Sequence, residues 1–458
     1  MSGTRFLLYP QAPILNPGRE PEVVVVSCPA GTIGPGPEDD RMYAVNPVAK
    51  WPPYGMQTRR NGIRYLYLPP WNGDIHPPAL PDAEGHFDHL DADSHEFQAA
   101  HLFGCVRFVL DIWEDYFGQR IEWHFGDAFE KMELVNLPEY DNGHIGYGFL
   151  EVGSNLTESG VYTLDCTNFD VVAHEVGHGI IYSVVGVPDP DKETGEYNGF
   201  HESAADLVAM VSCLHFESVM DDLLENTHGN LYMLNRLNRI AELARNEQIR
   251  IASNSLTMAA FVNGWRKEHK LSQPLTGAIF DILVDIFHEQ LLDQDLISPE
   301  VEDLADQYEY DQQSQVLVQE MFDESYAGNE SGFKGALEES RDIMGGYLAE
   351  TWRRLPPDHL TYQIVGDILS DVDEDYSGGK YLRIIANNFE FREIGRVMVG
   401  PQLAKLPKEN HMDSSRRLTP ASRELTHGKK QAYCERMRLA RRSRRSPQYA
   451  GSSRPSGR

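Results

Sequence analysis

Along the chain, hydrophobic spacing changes character four times, and each change predicts a change of structure. Residues 1 to about 88 hold short apolar runs, Glu22 to Cys28 and Ile63 to Leu68, between Gly- and Pro-rich turn signals such as GPGPEDD and PPWNGD, which predicts an irregular, β-containing N-terminal region. From Ser94 to Phe117 the apolar positions (Phe97, Leu102, Val106, Val109, Leu110, Trp113, Phe117) recur at helical spacing until Gly118 interrupts them, which predicts one long amphipathic helix. Residues 121 to 166 return to strand character in IEWHF, KMELVNL, HIGYGFLEV and GVYTLDC. From Asn168 onward the pattern is mostly helical, with segments expected at 170–185, 200–225, 229–248, 254–268, 276–292, 332–353 and 358–370. After Gly400 the sequence turns polar and basic and lacks the apolar area needed to offset chain entropy, so residues 401–458 are expected to be a disordered tail. The expected organisation is a β-containing region over 1–88, a principal domain over 89–400 with a lobe boundary near 185, and that tail.

Composition excludes several classes. At 458 residues with 41% hydrophobic and 24% charged residues, the chain can bury a large core and is not disordered as a whole. The five cysteines are far apart and form no C-x-x-C pair, which predicts free thiols and argues against a cysteine-bound zinc. No apolar run is long enough to cross a membrane, and Pro10 and Pro13 break the N-terminal apolar stretch, so no signal peptide is expected. Cytoplasmic residence is the default expectation, and leaderless export is compatible with it. The net charge of −29 conceals an asymmetry: residues 401–458 carry 15 Lys+Arg against 4 Asp+Glu, leaving 26 against 66 in residues 1–400. A body near −40 repels polyanions, so nucleic acid is not an expected partner for it.

The chemistry is concentrated in NFDVVAHEVGHGIIYSVV. If this stretch is a helix capped by Asp170, then His174 and His178, four residues apart, project from one face as two ligands of one metal ion require. Glu175 then points beside the ion, where a carboxylate can act as general base on a bound water. A turn at Tyr197–Gly199 is expected to open a second helix that offers Glu202 as third ligand. Two imidazoles and one carboxylate leave a fourth tetrahedral position for water, the mark of a catalytic zinc site. Asp206, one turn beyond Glu202, can accept the hydrogen bond from the outer nitrogen of a ligand histidine.

These residues, Asp170-Val-Val-Ala-His174-Glu-Val-Gly-His178 followed by His201-Glu202-Ser-Ala-Ala-Asp206, resemble the thermolysin-like and fungalysin-like peptidases of the gluzincin group. The resemblance implies an α+β, two-lobed metallopeptidase with a β-rich N-terminal lobe, a helical C-terminal lobe and the zinc helix between them. Implied too are one catalytic Zn2+ and a peptide or protein substrate. Asn142-Gly143 is similar to the family's edge-strand pair that binds substrate backbone, and Gly366 to Gly395 is similar to the fungalysin closing segment. The sequence departs from the family where an oxyanion-binding histidine is expected: the aligned stretch reads Ser272-Gln273-Pro274-Leu275-Thr276-Gly277-Ala278. Losing one such donor typically costs about 100- to 1000-fold in turnover. Tyr197, His201 or His269 are the candidates to replace it. The alternative reading is a weak or inactive zinc-binding relative that holds a peptide or partner protein in its cleft. No calcium-binding set is expected, and the acidic run Asp371-Val-Asp373-Glu-Asp375 reads as a solvated turn. Pro188 to Glu196 reads as a surface loop.

Overall fold

The computed structural model describes residues 3–395 apart from 14–17, 138–139, 141, 157–161, 234, 236, 238, 245–246, 309–310 and 312, so the tail expectation and Cys434 lie outside the described residues. Five short strands come first: β1 (Gly3–Leu8), β2 (Glu22–Pro29), β3 (Met42–Val45), β4 (Gly55–Thr58) and β5 (Arg64–Tyr67). The long helix α1 (His95–Phe117) follows, then β6 (Met132–Asn136), β7 (Gly143–Gly146), β8 (Phe149–Val152), β9 (Ser154–Leu156) and β10 (Tyr162–Leu164). Helices α2 (Phe169–Val184), α3 (Gly195–Cys213) and α4 (Glu217–Thr227) precede a hairpin, β11 (Arg239–Ala244) and β12 (Glu247–Ile251). The rest is helical: α5 (Glu268–Asp293), α6 (Pro299–Tyr308), α7 (Gln315–Tyr326), α8 (Glu330–Arg354), α9 (Tyr362–Ser377) and α10 (Leu382–Phe391). The fold is mixed α+β, with a small sheet region before a helical C-terminal part. Among the described residues, no helix is long and apolar enough to cross a membrane.

The principal sheet has the order β3-β6-β8-β7, with β6 parallel to both β3 and β8, and β7 antiparallel to β8 at one edge. Every residue of β6 is buried, because the sheet is covered on both faces. One face carries Met132, Leu134, Leu150 and Val152 into the main core with α1 and α2. The other is covered by Tyr54, Tyr67 and Leu68, which pack on Val135 and Phe149. Since β3 pairs with β6 and Phe6 shares a core with Ile394, residues on both sides of position 88 contribute to one hydrophobic interior. Helix α1 is held at both ends as its sequence predicts: Ser94 accepts from the Phe97 N–H at 3.0 Å, and Gly118 adopts φ 63° to close the C-terminus.

Several expected elements differ. The 229–248 helix is replaced from Arg239 by the β11–β12 hairpin; its apolar residues fit either period, and pairing with β12 decides between them. The 254–268 helix reduces to one 3-10 turn, Met258–Phe261, which Gly264 at φ 101° follows. Helix α5 begins at Glu268, well before position 276, and runs through Pro274, which is buried; the packing of the buried face of α5 outweighs the missing backbone donor. The 200–225 segment is two helices, and Tyr197–Gly199 lies inside the first, not in a turn before it. Gly199 is required there because a Cβ would fall 2.1 Å from Tyr362 Oη. IEWHF is not a strand; Trp123 and Phe125 stack in the core between α1 and β6. The acidic run at 371–375 is helical and not a solvated turn: Asp373 is fully buried, accepting from Tyr347 Oη at 2.7 Å and from the Tyr381 N–H at 2.9 Å. The four described cysteines are free thiols.

Candidate metal centre

Helix α2 is capped by Asn168, whose side chain accepts from the Val171 N–H, so Asp170 occupies the first turn and is not the cap expected of it. Val172, Val176 and Ile180 anchor the helix in the core. His174 and His178 then lie one turn apart with ring centroids separated by 4.6 Å. Gly177, between them, governs the approach of α3: an added Cβ would meet the Ala205 Cα at 2.7 Å. That close crossing carries Glu202 to the histidine pair. Glu202 Oε2 lies 3.6 Å from His174 Nε2, and Glu202 Oε1 lies 4.0 Å from His178 Nε2.

One ligand atom from each of the three residues falls within 4.8 Å of the others. Two donors bound at about 2.0–2.1 Å to one tetrahedral ion stand about 3.4 Å apart. The His–Glu separations are close to that, and two imidazoles with a carboxylate form a donor set that zinc accepts. Among the described residues no fourth side chain joins the set, so an ion held here keeps a coordination position for water or substrate.

The outer nitrogens of both imidazoles are engaged. His174 Nδ1 lies 3.0 Å from Oδ1 of the fully buried Asp206, on the same helix as Glu202. His178 Nδ1 lies 2.6 Å from His201 Nδ1, and the two rings stack nearly parallel. Burial lowers the His201 pKa to about 3, so this imidazole is neutral. With neutral His201 accepting at Nδ1, His178 donates from Nδ1 and keeps its Nε2 lone pair for a cation; this tautomer is assigned from the burial and the distance. His201 therefore backs a candidate ligand and does not reach the cleft as an oxyanion donor. The sequence signal was its place beside Glu202.

Tyr197 is likewise committed elsewhere: it is buried, with its hydroxyl donating to the Gly186 carbonyl at 2.7 Å. The Ser272–Ala278 stretch is inside α5, and Thr276 donates to Ser203 across the α3–α5 contact at 2.9 Å. Of the three candidate replacements, only His269 is at the site with an exposed ring, its Nδ1 2.6 Å from Glu202 Oε2. Burial alone would raise the Glu202 pKa, but the hydrogen bond from His269 and the nearby His178 and His174 outweigh it and hold the carboxyl at about 2.

Glu175 is buried against β7. A Cβ on Gly143 would lie 2.9 Å from Glu175 Oε1, so glycine at the start of the edge strand is what admits the carboxylate. Asn142, just before it, is exposed. Gly179 repeats the arrangement one turn on, giving way to Ile145 of β7. The general-base candidate, the candidate ligands and an edge strand thus meet in one place. No protein-family model and no curated protein matches this chain.

Proposed function

We propose that this chain is a zinc-dependent metallopeptidase of thermolysin-like, two-lobed architecture, with the sheet and α1 forming one lobe, α3 to α10 the other, and α2 between them. The convergence of His174, His178 and Glu202, with Asp206 and His201 on the outer nitrogens of the imidazoles, carries this reading. Zinc held by these residues would lower the pKa of a coordinated water toward neutrality and polarise a carbonyl.

Glu175 is the general base: it takes a proton from the attacking water and passes it to the leaving amine. Its burial against Gly143 limits its motion and keeps it beside the edge strand. The outer edge of β7 offers backbone N–H and C=O groups to an extended peptide, with Asn142 at its start. His269, exposed and one hydrogen bond from Glu202, is the candidate donor to share the developing oxyanion. A second reading, an inactive zinc-binding module with a peptide or protein in its cleft, is favoured by one observation: the family's histidine position lies within the buried face of α5.

The test is cleavage of a mixed peptide substrate by purified, zinc-loaded protein, with and without a chelator, beside Glu175→Gln. Chelator-sensitive cleavage that Glu175→Gln loses while keeping zinc supports the peptidase. Zinc retention with no cleavage by either protein favours the binding module.

A further inference from the structure

We propose that the cavity beside β7 is a side-chain pocket for an aromatic or long aliphatic residue of an extended peptide paired along that strand; this rests on the peptidase reading and adds its selectivity. The cavity measures about 500 Å3, within the range of pockets that enclose organic groups. Tyr54, Leu66 and Leu68 from the N-terminal region line it together with Phe129, Tyr147 and Phe149. No residue of α2 contributes, and Tyr54, Leu68 and Phe149 belong to the cluster on the sheet face opposite α2; Ile145, which also lines the cavity, packs on Gly179 of α2, so the cavity reaches the strand edge where the two faces meet.

The strand itself connects the two. β7 is outermost in its sheet, and its outer edge pairs with no other strand among the described residues. A peptide added there presents alternate side chains to the two faces. Gly143 is turned to α2, where the Glu175 carboxylate lies against it. His144 is turned the other way, to Glu151 Oε2 at 2.8 Å, and lines the cavity. Gly146 shares that face, and because it has no side chain the Phe149 ring lies against it, where a Cβ would stand 2.5 Å from the ring, so the aromatic lining of the cavity comes up to the strand there. A peptide residue across from Gly146 stands three strand positions, about 10 Å, from Gly143. With antiparallel pairing, the more stable arrangement per residue, it lies N-terminal to the bond presented to Glu175.

The lining selects for apolar side chains. Its carboxylate neighbour, Glu151, is fully buried and already engaged by the ammonium of Lys50, so a charged side chain entering the pocket loses its water without gaining a free counter-ion. At the mouth, Leu66 and Tyr147 are 57% and 54% exposed, and Met56, the cross-strand partner of Leu66, is 54% exposed, an apolar rim of the kind a ligand covers.

A position-scanning peptide library treated with zinc-loaded protein, with cut sites read by mass spectrometry, tests this. Phe, Tyr, Trp, Leu and Met should exceed Ser, Asp and Lys by about ten-fold or more at one fixed position N-terminal to the cut. Leu66→Asp and Tyr147→Ala should flatten that preference with zinc content and melting temperature unchanged, since both side chains are largely exposed. Cleavage without a preference on that side of the bond, or a preference that survives Leu66→Asp, would overturn the proposal. Should no peptide be cut, the peptidase reading fails by itself, and fluorescence anisotropy of two labelled decapeptides differing only in Phe for Ser decides the pocket: tighter binding of the Phe peptide supports it, equal binding refutes it.

Discussion

Removing the acceptor behind His174 should weaken zinc binding by an amount that the geometry bounds. Asp206 is fully buried, and its Oδ1 lies 3.0 Å from His174 Nδ1, so it fixes the tautomer that leaves Nε2 for the ion and holds the ring in orientation. Loss of such a partner costs about 10- to 100-fold in metal affinity, or about 1.4 to 2.7 kcal/mol. Asp206→Asn keeps the shape and one acceptor oxygen but loses the charge, so about ten-fold is expected; Asp206→Ala removes the acceptor and should approach a hundred-fold. Competition against a chromophoric chelator gives the affinity directly. The same loss appears in melting experiments, because an ion that binds only the folded chain stabilises it in proportion to the logarithm of its affinity. At a fixed excess of zinc the zinc-dependent part of the stabilisation should shrink by about 1.4 kcal/mol in Asp206→Asn and about 2.7 kcal/mol in Asp206→Ala. Any change in the zinc-free protein measures the structural role of Asp206 separately. Equal zinc affinity in all three proteins would refute the argument that this carboxylate acts through His174.

Glu175→Gln should lower peptide cleavage by about 10²- to 10⁴-fold with zinc content retained, as read by hydrolysis rate and elemental analysis. Gly143→Ala places a methyl group 2.9 Å from Glu175 Oε1 and should lower kcat with little change in zinc affinity; unchanged kcat would show that the carboxylate has room to move. Asp281→Ala leaves the buried Arg392 guanidinium without its 2.6 Å partner and should destabilise the protein by about 3–5 kcal/mol, read from the denaturant midpoint. His101 is fully buried, donates from Nδ1 to the Cys166 carbonyl and accepts from the Tyr9 N–H at Nε2, and burial lowers its pKa from 6.5 to about 4. Its folded pKa is below the unfolded one, so the unfolded chain takes up the proton first. The stability it contributes is full above pH 6.5 and falls as pH drops from there toward 4, by an amount on the order of 3 kcal/mol. A denaturant midpoint that stays flat between pH 7 and 4.5 would contradict this.

Much of the scaffold follows from local pattern. Helix α1 has an apolar face at helical spacing, a serine cap and a terminal glycine, and it spans the expected residues to within one position. The motif helix has the same property, since His174 and His178 share a face of any helix that contains them both. Glu202 and Asp206, four apart, are similarly linked within α3. Where local signals conflict, contacts distant in sequence decide: the helix expected from 276 starts at Glu268 and includes Pro274, and Asn198-Gly199 reads as a turn yet lies within α3, where Tyr362 takes the space that glycine leaves.

By itself, then, the sequence determined which side chains share a helix face, for that depends only on a rotation of about 100° per residue and needs no partner. Tertiary structure decided what meets across helices and strands. The approach of Ala205 to Gly177 brings Glu202 to the histidines, His201 turns inward behind His178 and away from the cleft, and His269 arrives from α5 onto Glu202. Gly143 admits Glu175 to the edge of the sheet. These are packing outcomes between residues far apart in the chain, and no periodicity within one segment encodes them.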